Sequence, residues 1–262
     1  MIKFLSLGGD SLSKTDIRGL KIDNITMSEA VLITENALEK GKKTVVFTPN
    51  AEIAQACSED EGIMKMISSA DILLPDGAGI LKAAKILGTP LREKVAGVDY
   101  GENVARMCAE KGYSLFILGG KPTVAEKAAE NLRGRYPGLK IAGCRDGYFD
   151  KSPEGSEAVV NEINAAKADV LYVCLGFPAQ EKWTMENAAR LSPLVIACLG
   201  GSVDIYAGTA KRAPKLFISL HLEWLWRLIK QPSRIGRMMA LPKYIIETKK
   251  YKRRLKKSRK TQ

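Results

Sequence analysis

The chain has a single histidine among its 262 residues, His221, and it lies near the C-terminus. That count argues against a histidine dyad, a Ser-His-Asp triad in the body and a histidine-rich metal site. Cysteine is sparse as well. Cys57, Cys108, Cys144, Cys174 and Cys198 are odd in number, widely spaced and without a C-x-x-C pair. Cys174 and Cys198 lie in apolar runs, which predicts buried free thiols rather than a disulfide framework. No apolar run approaches the roughly 20 residues that span a bilayer. The start, Met1-Ile2-Lys3-Phe4-Leu5, is too short an apolar stretch for a signal peptide, so the chain is expected to stay in the cytoplasm. The P-loop spacing G-x-x-x-x-G-K-[ST] is absent. Gly77-Ala78-Gly79 fails the dinucleotide fingerprint, because Lys82 stands where the third glycine belongs.

What the chain does have is positive charge gathered at one end. Of 41 basic and 29 acidic residues, residues 211–262 hold 17 and two, leaving 24 and 27 in the preceding 210. A near-neutral body with a cationic tail predicts an anionic partner met at one end. The tail interleaves Phe217, Trp224, Trp226, Ile229, Tyr244 and Tyr251 with the cations. That mixture suits the surface of an anionic bilayer, where apolar side chains insert and Lys or Arg meets head groups. A solvated basic helix is the plainer alternative.

Apolar strand-like runs alternate with helical patterns, the mark of βαβ units and a largely parallel sheet with helices on both faces. Strands are expected near 44–47, 71–74, 114–118, 139–143, 170–175 and 194–199. Helices are expected near 51–58, 77–87, 99–111, 122–136, 153–167 and 179–190, after one opened by Thr26 and Glu29 as a capping box. The composition shift near Lys211 divides the chain into an α/β body, 1–210, and a basic helical appendage, 211–262. Lys215, Ser219, Glu223, Arg227, Lys230, Arg234 and Arg237 recur at steps of three or four and predict one polar helix stripe. Pro232 and Pro242 are expected to break the tail into two or three helices.

Ligands of open parallel sheets bind at the carboxyl ends of the strands. Here those junctions carry Thr48-Pro49-Asn50, Pro75-Asp76-Gly77, Gly119-Gly120-Lys121, Gly176-Phe177-Pro178-Ala179-Gln180-Glu181 and Gly200-Gly201-Ser202-Val203-Asp204. Each alone reads as a helix cap or a tight turn. Five around one edge point to a shared site. Gly119-Gly120-Lys121, with Pro122 opening a helix, offers backbone N–H groups and a cation to a diphosphate. Asp76, held between Pro75 and Gly77 after an apolar run, can take a proton from an attacking hydroxyl. Without a paired acid beside it, no tightly held metal is expected.

Read in order with Glu93-Lys94-Val95-Ala96-Gly97-Val98-Asp99, these junctions resemble the TagA/WecG/CpsF glycosyltransferase family. The likeness runs from about residue 45 to 212, and the basic tail looks like the family's appendage. It implies a Rossmann-like α/β fold and an inverting hexosyltransferase needing no cofactor or tightly held metal. The implied reaction moves N-acetylmannosamine from UDP-N-acetylmannosamine to the C4 hydroxyl of N-acetylglucosaminyl-diphospho-undecaprenol, in wall teichoic acid biosynthesis. By that likeness Asp76 is the general base, and Thr48, Asn50 and Gln180 line the sugar-nucleotide pocket. Arg227, Arg234 and Arg237 close over it from the tail, which sits at the inner face of the membrane. Lys94 stands where the family pattern Glu-Arg-Val-x-Gly-x-Asp has arginine. It keeps the charge but loses the bidentate fork, which leaves a phosphate-binding role there in question, with Arg92 close by as a substitute.

Three alternatives stand beside this reading, and so does another donor such as UDP-N-acetylmannosaminuronic acid. An RNA-binding protein would suit the tail, but no RNP, KH or zinc motif accompanies it, and no nucleic-acid partner is expected. A nicotinamide-dependent oxidoreductase is opposed by the failed glycine fingerprint. A non-catalytic sugar-nucleotide sensor would tolerate loss of the Asp76 charge. Self-association into a homo-oligomer stays open at this point.

Overall fold

Short runs of β-branched and aliphatic residues, all but the edge strand 140–145 buried on both faces, build the sheet that carries the site. The computed structural model describes residues 13–219, 222–230 and 235–258. A hairpin comes first, β1 (Lys14–Ile17) and β2 (Leu20–Asp23), paired antiparallel. Its two-residue turn has Arg18 at φ +60° and Gly19 at φ +93°, the left-handed pair that matches strand twist. Then follow α1 (Met27–Glu39), β3 (Thr44–Phe47), α2 (Ala51–Glu59), α3 (Glu61–Ser68), β4 (Ile72–Leu73) and α4 (Gly77–Leu87). The second half has α5 (Gly97–Lys111), β5 (Ser114–Gly119), α6 (Val124–Arg135), β6 (Lys140–Arg145), α7 (Pro153–Ala166) and β7 (Val170–Cys174). It closes with α8 (Ala179–Asn187), β8 (Val195–Cys198) and α9 (Ser202–Tyr206). The tail forms α10 (Lys215–Ser219), α11 (Glu223–Lys230), α12 (Ile235–Met238) and α13 (Ala240–Ser258).

The six strands β3 to β8 lie in the order β4-β3-β8-β7-β5-β6, every pair parallel. All their carboxyl ends therefore share one edge. Alternation sends Val46, Ile117, Tyr172 and Ala197 to one face, against α1, α5 and α6. Phe47, Phe116, Leu171 and Ile196 face the other way, against α2, α4, α8 and α13. The mixed α/β architecture expected from the alternating pattern is present, and its free thiols Cys174 and Cys198 are buried.

Helix starts follow local chemistry. The Thr26–Glu29 capping box opens α1, Asn50 caps α2, and Ser152 caps α7 with Pro153 at its first position. One expected start is wrong. Thr123 sits in the left-handed region at φ +71°, so α6 begins at Val124 and Pro122 lies outside it.

The tail also departs from expectation. Of the expected stripe, Lys215, Ser219, Glu223, Arg227, Lys230 and Arg237 fall on three short helices rather than along one, and Arg234 lies outside the described residues. Pro232 lies outside the described residues. Pro242 sits in the first turn of α13, where its missing N–H breaks no helical bond. Helix α13 is not a solvated rod. It buries Tyr244 and Thr248 completely and Ile245 almost so, joining the core layer of α2 and α4. The hairpin grips it from the side, with Arg18 over the Tyr244 ring at 5.2 Å and 2.9 Å from Glu247. No helix among the described residues is long and apolar enough to cross a membrane.

Candidate active site

A cavity of about 600 Å³ opens where the six strand ends meet, within the range of small-molecule sites. Every strand of the large sheet contributes to its wall. Thr48 and Asn50 follow β3, Asp76 follows β4, and Gly120 and Lys121 follow β5. Tyr148 comes from the loop after β6, Gly176 and Gln180 from beyond β7, and Gly200 to Ser202 from beyond β8. The tail closes one side with Glu223 and Trp224.

Asp76 is the first residue before α4, with extended backbone, and its side chain makes no cap bond to that helix. Its N–H donates to Pro49 O at 3.3 Å, and Pro75 O accepts from Val95 N at 3.0 Å. The two bonds fix the strand end that carries the carboxylate, which is half-buried and lines the cavity. Thr48 is buried, and its hydroxyl donates to Cys198 O at 3.1 Å, tying β3 to β8. Asn50 Oδ1 accepts from the N–H groups of Glu52 and Ile53, so the Nδ2 side of that amide is what a ligand would meet.

The glycine turn after β5 is built by close approach. Gly119 has φ +135°, and a Cβ there would sit 2.3 Å from Cys174 O. Gly120 N donates to Cys174 O at 3.3 Å, so that amide is engaged inside the fold. The group this wall offers an anion is the exposed cation Lys121. Gln180 is buried with both ends of its amide engaged, Oε1 accepting from Gly200 N and Nε2 donating to Glu181 Oε1, both at 2.9 Å. Its place is the cavity wall itself.

Lys94 reaches the tail, pairing with Glu223 at 2.6 Å, and Arg212 pairs with Asp99 at 2.6 Å. Both body partners belong to the 93–99 segment singled out in the sequence, which thus serves as the landing site of the appendage. Arg92 turns instead to Glu29. Arg234 lies outside the described residues, as do the side chains of Arg227 and Arg237. Sequence reasoning put Glu223 on the polar stripe and Trp224 among the tail's aromatics, and neither of them at the cavity. The signal was there: Glu223 is one of two acids among 17 cations in residues 211–262, and an isolated acid there needs a particular partner.

The chemistry open to this cavity is narrow. Burial pushes the Cys174 thiol up to about 12, which leaves it protonated and unfit as a nucleophile. Burial likewise raises the Glu181 carboxyl. Among the described residues no cluster of three or more His, Cys, Asp or Glu groups is placed to hold a metal ion. What remains is a set of carboxylates, Glu52, Asp76, Asp204 and Glu223, around glycine turns and the cation Lys121, with Asp76 the one at a rigid strand end.

Fold and cavity together are those of a doubly wound α/β protein with a small-molecule-sized site at the carboxyl edge of its parallel sheet. The chain belongs to the glycosyl transferase WecG/TagA/CpsF family, whose model matches residues 15–259. It is a glycosyltransferase. A Bacillus spizizenii relative is 35% identical over 217 residues, 82% of each chain. A Staphylococcus aureus relative is 32% identical over 249 residues, covering 94% of this chain and 96% of the relative. Both carry the name N-acetylglucosaminyldiphosphoundecaprenol N-acetyl-beta-D-mannosaminyltransferase.

Proposed function

We propose that this protein transfers N-acetylmannosamine from UDP-N-acetylmannosamine to the C4 hydroxyl of N-acetylglucosaminyl-diphospho-undecaprenol, with inversion, as a step of wall teichoic acid synthesis. The observation that carries the proposal is Asp76, a carboxylate not used as a helix cap that lines a sugar-nucleotide-sized cavity. The names of the two relatives supply the sugar and the carrier. In the reaction the acceptor hydroxyl oxygen attacks the anomeric carbon from the face opposite UDP. Asp76 takes the hydroxyl proton, the new glycosidic bond forms, and UDP leaves with the electrons of the broken bond. Lys121 and the tail residues Arg227, Arg234 and Arg237 meet the diphosphate charge, and Thr48, Asn50 and the Gln180 wall shape the donor pocket.

The carrier lipid stays in the bilayer, so residues 211–262 are read as an appendage that brings the body to the inner membrane face. Leu216, Ile229 and Ile235 are exposed on α10, α11 and α12, and Met239 just after α12, in the same segment whose Glu223 and Trp224 line the cavity. Apolar side chains among cations suit insertion at an anionic surface, and each cation near such a surface adds about 1 kcal/mol. The testing experiment incubates purified protein with UDP-N-acetylmannosamine and a short-chain lipid-diphosphate acceptor and follows UDP release. Acceptor-dependent release supports the proposal, and none with any UDP-hexosamine refutes it.

A further inference from the structure

Glu181 is an acid that stability does not explain. Its side chain is fully buried in the first turn of α8, and its Oε2 has no hydrogen-bond partner. A buried oxygen left without a partner is a cost that leucine or methionine would not carry at the same place. The groups facing it are Glu52 and Cys57 from α2 and Cys198 from β8, none of them a cation. Its carboxyl meets its own backbone N–H and accepts from Gln180, and Gln180 in turn holds Gly200.

We infer that Glu181 is a positioning residue: its carboxyl accepts from Gln180 Nε2 and so turns Gln180 Oε1 toward the Gly200 N–H, fixing the cavity wall after β8. An amide side chain is nearly symmetric in shape, and only its partners decide which end points where. Flipped, Gln180 would set Nε2 against the Gly200 N–H, donor facing donor. Gly200 and Gly201 have no side chains with which to anchor themselves, and both line the cavity. Gln180 therefore gives this wall its shape from within it, and Glu181, which does not line the cavity, holds Gln180 from behind. For catalysis the inference rests on the transferase reading above; for the wall it does not.

The test compares Glu181→Gln, which keeps an acceptor for Gln180, with Glu181→Met, which removes it at similar volume. The readout is the exchange rate of the Gly200 amide proton by NMR, alongside turnover with UDP-N-acetylmannosamine. In Glu181→Met the Gly200 amide is expected to exchange about tenfold faster, the factor an ordinary hydrogen bond carries, and kcat/KM to fall by a similar factor. Glu181→Gln restores most of both. In a Gln180→Ala background the methionine change has little further effect. Equal Gly200 exchange in wild type and both variants overturns the inference, whatever the activity. A second measurement needs no variant: ionising Glu181 by raising pH shifts the Gln180 side-chain amide and Gly200 N–H resonances together. A Gly200 resonance that stays still while Gln180 moves also overturns it. If wild type releases no UDP, the transferase reading fails while the exchange data still judge the relay.

Discussion

Replacing Tyr244 by alanine should destabilise the whole protein, although the residue lies near the end of α13. The ring is fully buried among the residues of the second core layer, with the Arg18 guanidinium 5.2 Å from its centroid. Truncating a large buried aromatic to alanine costs about 3–5 kcal/mol, a sizeable part of the roughly 5–15 kcal/mol that holds a domain folded. In urea, with a slope of about 1–3 kcal/mol/M, the unfolding midpoint should fall by about 1–5 M. Tyr244→Phe separates the ring from its hydroxyl. That hydroxyl is buried without a hydrogen-bond partner, so removing it should leave stability unchanged or raise it by about 1 kcal/mol. Circular dichroism through a urea titration measures both. An alanine variant with the parent midpoint would mean that α13 does not pack on α2 and α4. The same packing implies that cutting the chain near Arg212 exposes this core layer and weakens the body, rather than leaving it untouched.

Other expectations follow from single contacts. Burial raises the Glu181 carboxyl above its unfolded value, so the unfolded state ionises first and wild-type stability drains away as pH rises past about 4.5. The advantage of Glu181→Gln over wild type should therefore be least near pH 4 and grow toward neutrality; a difference independent of pH would mean the carboxyl titrates normally. A double-mutant cycle on Lys94 and Glu223, paired at 2.6 Å and mostly shielded, should give a coupling of about 1 kcal/mol in urea unfolding. Zero coupling would separate α11 from the 93–99 segment. Binding to vesicles containing anionic lipid should weaken with salt, and Leu216→Asp with Ile229→Asp should weaken it further. Salt-independent binding, or none, would remove the membrane role from the tail.

Much of the architecture was legible because its elements are locally consistent. The buried runs at β3, β5 and β7 have no polar interruption, and the caps at Thr26, Asn50 and Ser152 act as their residue types predict. The hairpin was missed because Arg18-Gly19 lacks the usual Asn-Gly signature and the strands are only four residues each. Helix α3 was missed as well, since only Asp60 separates it from α2 and Gly62 stands in its first turn, ahead of the apolar Ile63, Met64, Met66 and Ile67. In the tail, spacing of three and four was read as one helix, but periodicity does not reveal where a chain turns. The five junctions of the cavity were found because all parallel strands end at one edge. The ion pairs of Lys94 with Glu223 and Arg212 with Asp99 were not, because contacts more than 100 residues apart leave no trace in local pattern.

The most direct measurement is turnover by Asp76→Asn set beside its binding of UDP-N-acetylmannosamine in a calorimeter. Asparagine keeps the size of the side chain and removes its capacity to take a proton. Donor binding should stay within a few-fold of wild type while acceptor-dependent UDP release drops by about 10²–10⁴, the share of a positioned general base. Release at the wild-type rate, with binding intact, would contradict the assignment of Asp76 and with it the proposed chemistry of the cavity.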